Sequence, residues 1–173
     1  ESVSTERISY YGYQRNVTPN IDWFAQKGIT FTNAYATATH SDYAQPAYLS
    51  STHILENNYR NMFSTQKNQN AVWQIFNREG YNTYHFSSQD DSWAGMQNCL
   101  NYTSLDEYWF SQTDNSTDYG SGLGKKDYDE TTMNKAIETL NESKSTKPFF
   151  LYLNFQATHD PLNYPEEYSF FNN

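Results

Sequence analysis

The chain has 173 residues, 36 % of them hydrophobic, a net charge of -9, 16 Tyr, 11 Phe and one cysteine. This size suits one globular domain that buries most of its apolar surface, and an acidic chain without a basic run excludes nucleic acid or an anionic membrane surface as main partner. The lone Cys99 excludes an internal disulfide or a cysteine-based metal cluster, and no stretch approaches the roughly 20 apolar residues of a membrane span.

Thr18 followed by Pro19 predicts a helix start, with Thr as cap and Pro in the first helical position. Ile21, Phe24 and Ala25 share one face of that helix, and Gly28 ends it. Residues 29–35 alternate Thr with apolar side chains and predict a strand. A polar loop leads to Ser41 and Asp42, after which residues 44–51 predict a helix with Pro46 in its first turn. Ala71, Val72, Ile75 and Phe76 form a second amphipathic face closed by Gly80, and residues 81–86 predict the next strand.

Residues 111–126, rich in Ser, Thr, Asp, Asn and Gly, predict a long surface loop. Its Gly120-Ser-Gly-Leu-Gly-Lys125 cluster is no phosphate loop, because Tyr119 stands where the first Gly belongs and Lys126 where Ser or Thr belongs. A helix is predicted over 127–142 with Met133, Ile137 and Leu140 inward. The nearly continuous apolar run 148–155 predicts a strand buried on both faces. Alternating helices and strands predict an α/β fold with a mostly parallel sheet flanked by helices. Three glycosylation acceptor patterns, at Asn101, Asn115 and Asn141, read as ordinary surface residues.

Three places are suited to chemistry, and each also has a plain reading. Glu1 is an acidic residue of the kind usually exposed. Ser41 and Asp42 suit helix capping, but a hydroxyl at a helix N-terminus also sits where backbone amides stabilise a phosphate or sulfate. His159 follows a predicted buried strand, and in α/β sheets ligands bind beyond the C-terminal strand ends. His40 reads as a loop residue.

Glu1, Tyr11-Gly-Tyr13, Thr18-Pro-Asn-Ile-Asp22, Ala25-Gln-Lys-Gly28 and Phe31-Thr-Asn-Ala-Tyr35 come in that order. Lys147-Pro-Phe-Phe-Leu-Tyr152, Thr158-His-Asp-Pro161 and Tyr164-Pro-Glu-Glu-Tyr168 follow. This series resembles the sulfatase-like family of the alkaline phosphatase superfamily over nearly the whole chain. The resemblance implies an alkaline-phosphatase-like fold, a divalent metal ion (Mn, Zn, Mg or Ca), Glu1 and Ser41 as metal ligands, and Ser41 as nucleophile. It further implies that His159 contacts an oxygen of the transferred group or a second metal, and an extracytoplasmic or cell-surface location.

Formylglycine sulfatases carry Cys-x-Pro-Ser-Arg where this chain reads Ser41-Asp-Tyr-Ala-Gln45, and their Gly-Lys-Trp-His block is absent after Thr83. The phosphoglycerol and phosphoethanolamine transferases, with an unmodified hydroxyl nucleophile and a Glu ligand, are the better match. Asp90-Asp-Ser-Trp93 with Met96 resembles their head-group contact region, which makes Asp90 and Trp93 substrate-binding candidates. The expected activity is a metal-dependent hydrolase or transferase acting on phosphate esters (phosphodiester, phosphoglycerol-type) or sulfate esters through a covalent Ser41 intermediate. The substrate would be such an ester, on a lipid head group or a glycan. The alternatives are an atypical sulfatase and an inactive, glycan-binding relative.

Relatives place further metal ligands well beyond the His-x-Pro loop, whereas Asn173 lies 14 residues past His159, and no apolar strand precedes Glu1. Residues 1–173 are therefore expected to be one incomplete catalytic domain, weak in metal binding and turnover on its own.

Overall fold

The structure, a computed structural model, describes residues 2–52, 70–111, 117–118, 125–126, 128–160, 162 and 164–168. Two compact units emerge, residues 2–36 and residues 37–173.

In the smaller unit, helix α1 (Pro19–Lys27) starts with Pro in its first turn and ends at Gly28, as the sequence predicts. Thr18 does not cap it with its side chain. Its hydroxyl instead accepts the Ser9 amide at 3.0 Å and donates to Asp22 Oδ1 at 3.0 Å. Asp22 Oδ1 also takes the Tyr10 amide at 2.8 Å. The Thr-Pro-Asn-Ile-Asp pattern thus clamps the turn that leads into Tyr11-Gly12-Tyr13. Gly12 has φ +103°, a conformation that strains any residue with a Cβ.

The strand expected at residues 29–35 does not form. That stretch is irregular, with Ile29, Phe31 and Tyr35 exposed. Alternation marks a segment that fits a pleated surface, but pairing decides whether it becomes a strand.

The larger unit is built on a parallel sheet in the order β2-β1-β5, from β1 (Asn82–Ser87), β2 (Glu107–Phe110) and β5 (Phe149–Asn154). Helices α2 (Ser41–Ser50) and α3 (Val72–Arg78) pack on one face. There Leu49, Trp73, Cys99 and Leu100 are buried, with Phe150 and Tyr152 against them. Helix α4 (Asp129–Glu142) packs on the other face, where Tyr84, Phe86 and Ala136 are buried with Trp109, Leu140, Leu151 and Leu153 around them. The α/β fold class follows, with a parallel sheet between helical layers.

Several details differ from expectation. Helix α2 begins at Ser41, not 44. His40 is its N-cap residue, so neither Ser41 nor Asp42 caps it, and Pro46 falls in its interior. Proline there lacks the N–H that would bond the Asp42 carbonyl. In α3, Trp73 is fully buried while Ile75 is exposed; Phe76 stacks on Phe150 at 4.5 Å.

Helix α4 buries Thr132 and Ala136, leaving Met133 and Ile137 exposed. Small side chains at 132 and 136 let the helix approach the sheet, and the Thr132 hydroxyl meets Ser88 Oγ at 2.7 Å. Strand β5 is half-buried rather than covered on both sides, because it lies at the edge of the described sheet. Within the expected 111–126 loop, β3 (Thr117–Asp118) and β4 (Lys125–Lys126) pair antiparallel, so it is in part a ladder. Residues 112–116 and 119–124, with most of the glycine cluster, lie outside the described residues.

No helix among the described residues is long and apolar enough to cross a membrane.

Candidate active site

Because β1 and β5 are parallel and in register, Ser87 and Asn154 end the two strands side by side. The chain leaves β1 through residues 88–93, carrying Asp90, and leaves β5 towards His159. Both candidates therefore stand on loops at the edge where α/β folds bind ligands.

The floor beneath these loops is polar and buried. Ser87, Ser88, Asp91, Asn154 and Gln156 are all shielded from solvent. Ser87 Oγ donates to Asp91 Oδ1 at 2.9 Å and accepts from Asn154 Nδ2 at 3.0 Å. The Tyr108 hydroxyl donates to Asp91 Oδ2 at 2.9 Å. On the other side, the Asp129 carboxylate accepts the Gln156 amide at 2.7 Å and the Ala157 amide at 3.0 Å. A carboxylate taking two consecutive amides fixes the start of the His159 loop. The His159 amide closes the turn onto the Gln156 carbonyl at 3.0 Å.

Beneath this floor His85 is fully buried in the row Tyr108–His85–Tyr152 across the three strands. Its Nε2 is 3.5 Å from Asp91 Oδ2, yet neither ring nitrogen makes a hydrogen bond. Burial lowers the His85 pKa to about 3 and raises that of Asp91 to about 6, the latter opposed by the bonds from Ser87 and Tyr108. The imidazole is thus neutral beside a carboxyl that holds its proton more firmly than usual. Burial also pushes the Tyr108 and Tyr152 hydroxyls far above the ordinary range.

Ser41 occupies the first position of α2, and no side chain bonds to the amides of that helix end from the cap position. Asp42 and Gln45 are buried one turn apart, with Asp42 Oδ1 and Gln45 Nε2 lacking partners. The helix is joined to β5 by a hydrogen bond between the Tyr48 and Tyr152 hydroxyls.

Asp90 is half-buried, and its Oδ1 accepts both the amide and the hydroxyl of Ser92, at 2.9 and 2.5 Å. Trp93 begins a short 3-10 turn, Trp93–Asn98. Glu1 lies outside the described residues. The structure thus brings Asp90 and His159 to one edge of the sheet, with Ser41 on a helix anchored to β5.

No cluster of three or more His, Cys, Asp or Glu able to hold a metal occurs among the described residues. Ser41 alone is one weak donor, so the described side chains do not fit a metal site by themselves.

Sequence reasoning passed over Ser87, Asp91, Asn154, Gln156 and Asp129. The signal for Asn154 and Gln156 was present, as polar residues at the end of an apolar run. Nothing local marks Asp129, whose partners lie 27 and 28 residues away.

A family model described as Sulfatase matches residues 1–172. An N-acetylglucosamine-6-O-sulfatase of Bacteroides thetaiotaomicron is 27% identical over 184 residues, covering 98% of this chain and 31% of the relative. A solved protein of the alkaline phosphatase superfamily from Vibrio parahaemolyticus superposes with TM-score 0.65 and 26% identity, over 86% of this chain and 36% of that one. The C-terminal periplasmic domain of phosphoethanolamine transferase EptC from Campylobacter jejuni gives TM-score 0.64 at 18% identity, over 97% of this chain and 47% of that one. The corresponding domain from Escherichia coli, in complex with Zn, gives 0.64 at 16%, over 96% and 44%. The likeness to these two domains is one of fold alone. The chain spans about a third of the length of the sulfatase relative. With its α/β fold and these matches, the chain belongs to the sulfatase family, within the alkaline phosphatase superfamily of hydrolases and transferases.

Proposed function

We propose that Ser41 is the nucleophile of a hydrolase or transferase acting on phosphate esters, with phosphodiesters of the phosphoglycerol type as the first choice. The observation that carries this reading is the position of Ser41 as the first residue of α2, where the helix dipole favours an anionic group. Its Oγ would attack phosphorus and form a covalent ester as the bond to the leaving oxygen breaks. Water or an acceptor alcohol would then attack the same phosphorus and free Ser41. His159 would contact an oxygen of the transferred group, and Asp90 and Trp93 the head group.

Divalent-metal dependence, with Glu1 and Ser41 as ligands, belongs to the same reading. It is supported by the zinc complex of one structural relative. An extracytoplasmic location is supported by the periplasmic domains among the fold relatives. A sulfate ester is the second reading, favoured by the 27% identical N-acetylglucosamine-6-O-sulfatase. The sequence Ser41-Asp-Tyr-Ala-Gln45, without the Cys, Pro and Arg of formylglycine enzymes, weighs against it.

The test is hydrolysis of matched aryl phosphate, phosphodiester and sulfate esters by the protein at its natural length, across a series of divalent metals. Metal-dependent phosphodiester cleavage that disappears with Ser41→Ala is expected. A preference for sulfate would move the assignment to the second reading. Absence of turnover with every metal, alongside glycan binding that survives Ser41→Ala, would replace both with a binding role.

A further inference from the structure

Ser87 sits where the two candidate substrate loops meet. Its hydroxyl has one proton and two lone pairs. The proton goes to Asp91 Oδ1 at 2.9 Å, shared with the Gln89 carbonyl at 3.2 Å. The oxygen accepts from Asn154 Nδ2 at 3.0 Å and from the Gln89 amide at 3.2 Å. Asn154 Oδ1 in turn takes Gln156 Nε2 at 3.3 Å, and that same nitrogen reaches Gln89 Oε1 at 3.3 Å. Gln89 and Asp91 flank Asp90 in sequence, and Gln156 lies three residues before His159.

The strands could have ended in apolar side chains, as Phe110 ends β2 beside Ser87. Buried polar atoms cost stability unless each is paired. This chain of pairs is fully made, and it joins one loop to the other.

We propose that Ser87 is a positioning residue whose hydroxyl locks the Asp90 loop to the His159 loop, so that both side chains meet one substrate as a fixed pair. The inference rests on the reading of Asp90 and His159 as substrate contacts. Its structural half, the coupling of the loops, has its own readout.

The experiment compares wild type, Ser87→Ala and Ser87→Thr at natural length, by amide hydrogen exchange and by kcat/KM on a phosphodiester. Ser87→Ala is expected to speed exchange about tenfold in both residues 89–92 and residues 156–159, the effect of losing one buried hydrogen bond. It is also expected to lower kcat/KM by about tenfold or more, with the loss mainly in kcat. Ser87→Thr keeps the hydroxyl and suits a strand, and is expected to restore both readouts to within about threefold. Should Ser87→Ala fail to fold, Asn154→Ala breaks the same bridge from the other strand and carries the same expectation. The proposal is overturned if exchange rises in one loop only, or if Ser87→Thr is as impaired as Ser87→Ala. Coupled exchange in a wild type without turnover would uphold the lock and sink the catalytic reading instead.

Discussion

The hydroxyls of Tyr48 and Tyr152 are hydrogen-bonded to each other, one on the helix that begins at Ser41 and the other on the strand that runs towards His159. Tyr48 follows Ser41 by seven residues, two helical turns, so both lie on the same side of α2. The pair fixes how that side of the helix sits along β5.

Replacing either tyrosine by Phe should cost roughly 0.5–1.5 kcal/mol, at the low end because Tyr48 is half exposed. The double variant should cost less than the sum of the two single ones, since the same shared bond is lost in all three. Urea unfolding of the four proteins measures this. Additive losses would mean that each hydroxyl acts through a different partner.

His85 and Asp91 make a specific pH prediction. The Asp91 pKa rises from 3.8 to about 6 on folding, so its contribution is present below pH 3.8 and lost as pH rises through 6. That of His85 falls from 6.5 to about 3, so its contribution is present above pH 6.5 and lost as pH falls towards 3. Between about pH 4 and 6 the pair holds one proton in both states, on Asp91 when folded and on His85 when unfolded. Their slopes cancel there. Asp91→Asn should therefore lose stability, relative to wild type, as pH is lowered from 6.5. His85→Phe should gain relative to wild type from pH 6 down to 4. Unfolding midpoints for Asp91→Asn that run parallel to wild type across this range would contradict the assignment.

Asp129 ties the start of α4 to the loop after β5 through two amides. Asp129→Ala leaves both without an acceptor and should destabilise the protein by about 2–4 kcal/mol, given two bonds to a charged group. Asp129→Asn retains one acceptor oxygen and should fall about midway. Thermal or urea unfolding checks the order, and faster amide exchange at Gln156 and Ala157 should accompany it. Unchanged exchange at those two amides would rule out the tie.

The sequence carried the architecture further than the site. Helix α1 was legible from Thr18-Pro19 and Gly28, and β5 from its apolar run, because these signals are local. Helix α4 was legible as a helix but not in phase. The sheet selected Thr132 and Ala136, whose small size matters only once the neighbouring surface is known. Ser41 and His159 stood out by their places at a helix start and after a strand, and a resemblance gave them roles; Asp90 was found through the resemblance alone. The pairing of Ser87 with Asn154 was not legible, since adjacency across parallel strands is set by register rather than by spacing along the chain. The strand expected at residues 29–35 failed for the converse reason: its pattern was right, but pattern does not supply a neighbour.

The clamp of Thr18 and Asp22 on the amides of Ser9 and Tyr10 has a consequence for mutational tolerance. It grips main chain, so it is blind to the side chain at position 10. Replacements of Tyr10 that keep an N–H should leave the turn before Gly12 in place, and proline alone should release it. Thr18 and Asp22 have no such freedom. A change at either is felt nine or twelve residues upstream, so drift in this segment is permitted on the held side and forbidden on the holding side.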